Sequence, residues 1–129
     1  MIELEYGGFL PLELNRGEEY YTGSDVLSFN CARSALKYII EHTSFHTIYI
    51  PIYMCESVRD ALREYDITIS YYHIDENMNP CVANIQSDEI IFISNYFGVF
   101  KNDEGYVRKY GNVIFDNTQA FFQKPILGG

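Results

Sequence analysis

Val113-Ile114-Phe115-Asp116-Asn117-Thr118-Gln119-Ala120 is the stretch that decides the fold, because three apolar residues run straight into a carboxylate and an amide. The pattern is that of a buried strand ending in polar side chains at the rim of a sheet. Open α/β sheets take their ligands at such a rim. With Asp116 at the end of the strand and Gln119 on the following turn, one crevice would receive a charge from the first and both hydrogen-bonding senses from the second. A plainer reading competes, since an Asp after a strand commonly caps the next helix. On this stretch alone the plainer reading is favoured.

The same succession recurs upstream. Thr47-Ile48-Tyr49-Ile50 is a β-branched and aromatic run stopped by Pro51, hence a strand. Ile67 to Ile74 reads as another, with Ile67, Ile69, Tyr71 and His73 facing one way, and His73 as a half-buried sheet residue. The turn after it is built from Asp75, Asn77, Asn79 and Pro80. Glu89 to Ser94 holds a continuous apolar run of the kind buried on both faces, and it empties into Asn95-Tyr96-Phe97-Gly98, where Gly98 allows a positive φ. Between the strands lie helical patterns. Ala35, Leu36, Ile39 and Ile40 predict one helix ending near His42. Val58, Ala61, Leu62 and Tyr65 predict a second, with Glu56 or Ser57 at its start, and a weaker one covers 103–110 and ends at Gly111. Strand and helix alternating in this way imply an α/β fold with a mainly parallel sheet flanked by helices.

At the start of the first helix the small residues Cys31, Ala32 and Ser34 leave backbone N–H groups uncrowded, and Arg33 adds a permanent positive charge. An anion, above all a phosphate, is stabilised by that combination. An ordinary helix start with a surface arginine accounts for the same residues equally well.

The totals narrow the function classes. With 129 residues, 47% of them apolar, one domain or part of one is expected, with a real core and little room for intrinsic disorder. A net charge of -9 and a pI near 4.6 repel phosphate backbones and anionic membranes, so neither nucleic acid nor a membrane is expected as partner. No apolar run approaches membrane-spanning length, and the first residues carry Glu3, Glu5 and Glu13 in place of a basic start, which predicts a soluble, cytoplasmic chain. Cys31, Cys55 and Cys81 are odd in number and widely spaced, which suits a reducing compartment. His42, His46 and His73 fall in no metal-binding run, so no metal site is expected. Residues 1–21 scatter Gly7, Gly8, Pro11 and Gly17 among apolar residues and read as an N-terminal arm, with a short extended piece where Leu10, Leu12 and Leu14 alternate with polar residues and proline. Residues 22–129 form the α/β part.

Four loops of small, polar or glycine-bearing residues, taken together, carry a family resemblance. Asn30-Cys31-Ala32-Arg33-Ser34-Ala35-Leu36, Ile50-Pro51-Ile52-Tyr53-Met54-Cys55, Ser94-Asn95-Tyr96-Phe97-Gly98 and Phe115-Asp116-Asn117-Thr118-Gln119-Ala120 resemble, in that order, motifs of the DegT/StrS sugar aminotransferases, pyridoxal-phosphate enzymes of the aspartate-aminotransferase fold. The likeness spans roughly Phe29 to Phe122 and implies the N-terminal part of a fold type I large domain. It implies pyridoxal 5'-phosphate as cofactor, with Asp116 pairing the protonated ring nitrogen. Gln119 would donate to the ring's phenolic oxygen, Arg33 and Ser34 would hold the phosphate, and Cys55 would lie against the ring face. For the intact family it further implies a nucleotide-linked keto-sugar and an amino-acid donor as small-molecule partners, and a homo-oligomer whose sites are completed across a dimer.

The departures matter as much. Asn95 stands where the family has histidine, Phe115 where it has glutamate, and Arg33 where it often has threonine. The family's Schiff-base lysine lies well beyond the Asp-Gln signature, whereas Lys124, the sole lysine after Asp116, comes too soon. Transamination by this chain alone is therefore expected to fail. Three readings follow in descending order: an N-terminal portion of a sugar aminotransferase-like protein, a lysine-free module that holds a phosphorylated ligand, and an unrelated flavodoxin-like domain. Missing neighbour strands also predict an unpaired sheet edge and self-association.

Overall fold

In a computed structural model, which describes residues 21–99, 103–120 and 122–124, the four predicted apolar runs become four strands. They are Thr47–Pro51 (β1), Thr68–Tyr72 (β2), Glu89–Ser94 (β3) and Val113–Asp116 (β4), with helices Ala32–Glu41 (α1), Glu56–Leu62 (α2) and Asp103–Tyr110 (α3) and one 3-10 turn, Tyr96–Gly98. The strands pair in the order β2-β1-β3-β4, all parallel. The α/β class and the parallel sheet with flanking helices are thus as expected. The arm, Tyr21 excepted, lies outside the described residues, and so do residues 125–129.

Strand periodicity of two sorts the core into two layers. Ile48 and Ile50 of β1 and Ile90 and Phe92 of β3 meet Leu36 and Ile40 of α1 and Ala61 and Leu62 of α2 on one face. Ile91 and Ile93, one step out of phase, meet Tyr72, Tyr106 and Tyr110 on the other, beneath α3. Ile48, Ile50 and Ile91 are wholly buried, each contributing roughly 1.5–3 kcal/mol relative to an exposed side chain. None of the described helices is long and apolar enough to cross a membrane.

Element ends differ from the sequence reading where local geometry overrides the pattern. α1 ends where predicted, at a C-cap His42 whose N–H reaches Ile39 O and Tyr38 O and whose ring stacks on Tyr38. α2 stops at Leu62, short of Tyr65, because the chain tightens into a turn in which Tyr65 N–H bonds Leu62 O. β2 ends at Tyr72, and His73 is exposed beyond it rather than half-buried in the sheet. The chain then runs from β2 to β3 through residues 73–88 without a helix, packing Ile74, Val82 and Ile85 against the second layer. Its first turn is organised by Asp75, whose Oδ1 accepts the N–H groups of Asn77 and Asn79.

That long return moves the chain from one side of β1 to the other, so β1 and β3 are neighbours whose following connections leave in opposite directions. Their pairing ends at Tyr49 and Ile91, whereas β1 continues with β2 to Pro51 and β3 continues with β4 to Ser94. Such a divergence is the switch point at which open parallel sheets form a crevice. It leaves a backbone debt. Ile91 and Asn95 turn their N–H groups to β4, so Phe92 between them turns its carbonyl toward β1, where the register places Pro51, a residue with no N–H to donate. The hydroxyl of Tyr72, itself 4% exposed, donates to Phe92 O at 2.8 Å, and burial pushes the phenol far above its usual range. Replacing Tyr72 with Phe keeps the packing but strands that carbonyl, so urea unfolding should show a loss of about 1–3 kcal/mol. An unchanged midpoint would mean that water satisfies the carbonyl instead.

Candidate functional site

Because the strands are parallel, the loops after β1, β3 and β4 and the start of α1 all emerge at one rim. There they enclose a cavity of about 930 Å³, whose lining includes Arg33, Cys55, Ser94, Asp116 and Gln119. Its floor is apolar, formed by Leu36 and Ile39 of α1 with Phe92 and Ile114 of the sheet. Four of the five residues singled out from the sequence line it, and the fifth, Ser34, does not.

Asp116 is the last residue of β4. It shares the phase of Ile114, which packs on the first core layer, so both face the α1 and α2 side. Its Oδ1 accepts the N–H of Thr118 at 3.0 Å and its Oδ2 the hydroxyl of Ser94 at 3.4 Å. Only turns follow through residues 117–120, so the helix-capping alternative is overturned: the carboxylate folds an Asx-type turn instead. Gln119 lies exposed on that turn, its Oε1 accepting the backbone N–H of Phe97 at 3.2 Å.

Across the cavity α1 begins with no side-chain cap and no acidic residue in its first turn. Arg33 is in that turn, and it forms no ion pair with the carboxylates of the described residues. Ser34 instead turns its hydroxyl to Asn30 Oδ1 at 2.7 Å and stands 3.5 Å from Cys31 Sγ. The consequence falls on the thiol: contact with Ser34 brings Cys31 from an ordinary pKa of 9.0 down to about 7. Cys55, at the start of α2, receives the Ser57 hydroxyl at 3.1 Å. That bond first, and the charge of Arg33 after it, lower its pKa.

Sequence reading missed three contributors. Ser94 is the partner of Asp116, which nothing local announces. Tyr96 donates its hydroxyl to Tyr53 O, with the two rings 5.5 Å apart, and so joins the loops after β1 and β3 into one wall. Arg59 of α2 donates to Ile52 O at 2.7 Å and to Glu56 at 3.0 Å while lying over the Tyr71 ring. Only the Glu56/Arg59 spacing of three was a visible helical signal.

The chain matches no protein-family model, no curated protein sequence and no solved structure. The site's chemistry therefore stands on its own geometry.

Cys31 supplies a direct check of that geometry. Thiolate is the reactive form and grows as pH rises, so alkylation by iodoacetamide, followed peptide by peptide in a mass spectrometer, should reach half its maximal rate near pH 7. Ser34→Ala should move that midpoint upward toward 9.0. A midpoint already near the ordinary value in the unaltered protein would show that the Ser34 contact does not form.

Proposed function

We propose that this chain is the cofactor-holding part of a sugar aminotransferase-like protein, a partial fold type I large domain whose cavity takes pyridoxal 5'-phosphate. One observation carries the reading: a carboxylate, Asp116, and a cation at an uncapped helix start, Arg33, line one cavity at the carboxyl ends of parallel strands. The order of four motif-bearing loops along the chain supports it independently. When bound, the coenzyme acts as an electron sink for carbanion chemistry.

The roles follow from the donors and acceptors present. The first turn of α1 and the guanidinium of Arg33 attract a phosphate without a competing acid in that turn. The Ser34 hydroxyl is engaged by Asn30, so the phosphate's partners here are Arg33 and backbone N–H groups. The Asp116 carboxylate accepts two hydrogen bonds from the described residues, one of them long, and retains acceptor capacity for a protonated ring nitrogen. Gln119 donates through its amide. Cys55 offers a small polarisable surface against a ring face.

A second reading, a module that binds the phosphorylated ligand without turning it over, is favoured by the lysines. Among the described residues Lys37 pairs with Glu64 and Lys109 bonds Val82 O, and no lysine lines the cavity. Non-covalent retention is thus the activity proposed for these 129 residues. Amino transfer to a nucleotide-linked keto-sugar from an amino-acid donor, in the cytoplasm, is proposed for the intact protein.

Pyridoxamine 5'-phosphate, which cannot form an imine with surface lysines, tests retention cleanly. It should raise the melting temperature saturably, and Asp116→Ala or Arg33→Gln should each weaken binding about tenfold or more. A melting curve indifferent to the ligand, or an affinity that neither substitution changes, would remove the coenzyme from the account.

Self-association is proposed as well. The sheet ends at β2 on one side, where among the described residues no strand pairs with the outer edge and Tyr71 is exposed. Sedimentation velocity should therefore give a mass above the 15.0 kDa of one chain. A single monomeric species at every concentration would count against it.

A further inference from the structure

Two arginines line the cavity, Arg33 and Arg59, against one carboxylate among the described residues, Asp116. Arg59 of α2 is held on three sides. Its Nη1 donates to Glu56 Oε2 at 3.0 Å and its Nη2 to Ile52 O at 2.7 Å, and its Cζ stands 5.4 Å from the centre of the Tyr71 ring. Nε–H is the exception, buried and without a partner among the described residues. A buried donor left unmet is uncommon in folded proteins and lowers stability where it occurs.

The groups that hold Arg59 do not depend on it. Ile52 O also accepts the N–H of Met54 at 2.9 Å, and Glu56 is held through its other oxygen by Nη2 of Arg63 at 2.7 Å. Both acceptors stay satisfied when Arg59 turns away. What the turn gives up beyond them is a contact with Tyr71, a ring already 51% exposed. What it gains is a use for Nε–H. In a guanidinium Nε–H and Nη2–H lie along one edge, so an oxyanion meeting that edge receives two parallel hydrogen bonds where Ile52 O receives one.

Two cations and one carboxylate set the class of ligand. A single phosphate satisfies Arg33 and leaves Arg59 as it is, whereas a ligand carrying a second oxyanion engages both. The cavity, about 930 Å³, is near the upper end of the roughly 300–1,000 Å³ of small-molecule sites, which leaves room for a ligand that reaches both arginines.

We propose that Arg59 is a second anion-binding residue, which leaves Ile52 O and Glu56 to pair side-on with the second acidic group of a doubly anionic ligand whose first sits at Arg33. The place of the first group rests on the reading given under the proposed function. Recruitment of Arg59 does not require the ligand to be pyridoxal 5'-phosphate.

The probes are alkylphosphonates and phosphonocarboxylates of matching chain length, which differ in a terminal carboxylate. In a graded set, calorimetry should find one length at which the phosphonocarboxylate binds about tenfold tighter than its alkyl counterpart. Arg59→Gln should remove that advantage and leave alkylphosphonate affinity within about twofold, while Arg59→Lys, a point charge without the side-on edge, should keep part of it. Arg33→Gln should weaken both probes. Arg63→Gln, outside the cavity lining, should shrink the advantage, because Glu56 is then held by Arg59 alone. No gain from the carboxylate at any length, or an equal loss of both probes in Arg59→Gln, would reduce Arg59 to a wall of the cavity and overturn the proposal. Pyridoxamine 5'-phosphate tells the two readings apart. A protein that ignores it yet keeps the carboxylate gain upholds Arg59 and removes the coenzyme, one that binds it without that gain does the reverse, and one indifferent to every probe overturns both.

Discussion

Every strand of this sheet runs the same way, and the rest of the molecule answers to that constraint. Parallel neighbours cannot be joined by a tight turn, so each connection must return over a face of the sheet, burying both faces and delivering every carboxyl end to one rim. The order β2-β1-β3-β4 then makes β1 and β3 part company above Tyr49 and Ile91. A crevice is the geometric result, and the Phe92 carbonyl at its edge, which faces Pro51 and so has no ladder donor, is satisfied by a tyrosine that reaches across from β2.

The rim sets a positive charge beside a negative one in a chain that is acidic overall. In a protein with net charge -9, an arginine beside an uncapped helix start is the local exception, and its field is felt at the neighbouring thiol of Cys55. Asp116, in the same lining, is steadied by a serine hydroxyl and a turn N–H and forms no ion pair among the described residues. Charges of both signs lining one apolar-floored cavity favour a ligand that is itself dipolar, with an anionic group and a group able to carry a proton. This complementarity supports the coenzyme reading more than any single motif does.

Rigidity comes from bonds between loops. The contacts linking Asn95, Phe97 and Gly98 to residues 116–120, with the Tyr96 hydroxyl on Tyr53 O, tie three connections into one surface. A site so braced holds its donors and acceptors in place before a ligand arrives, which lowers the ordering cost of binding.

Much of this was legible in the residues. Apolar runs ending in Pro51, Ser94 and Asp116, and helical spacing at Leu36, Ile40, Ala61 and Leu62, determined the strands, the helices, the parallel class and the common rim, because burial periodicity is a local property of the chain. The sequence alone also singled out Arg33, Cys55, Asp116 and Gln119. It read a helix cap where Asp116 folds a turn, and it showed neither the bond from Ser34 to Asn30 nor that from Ser94 to Asp116. Only the tertiary structure decided the strand order, the split between β1 and β3, and which way the amide of Gln119 points. Those depend on hydrogen bonds between residues 20 or 22 positions apart, and a contact made across folded space leaves no period in the sequence for a reader to find.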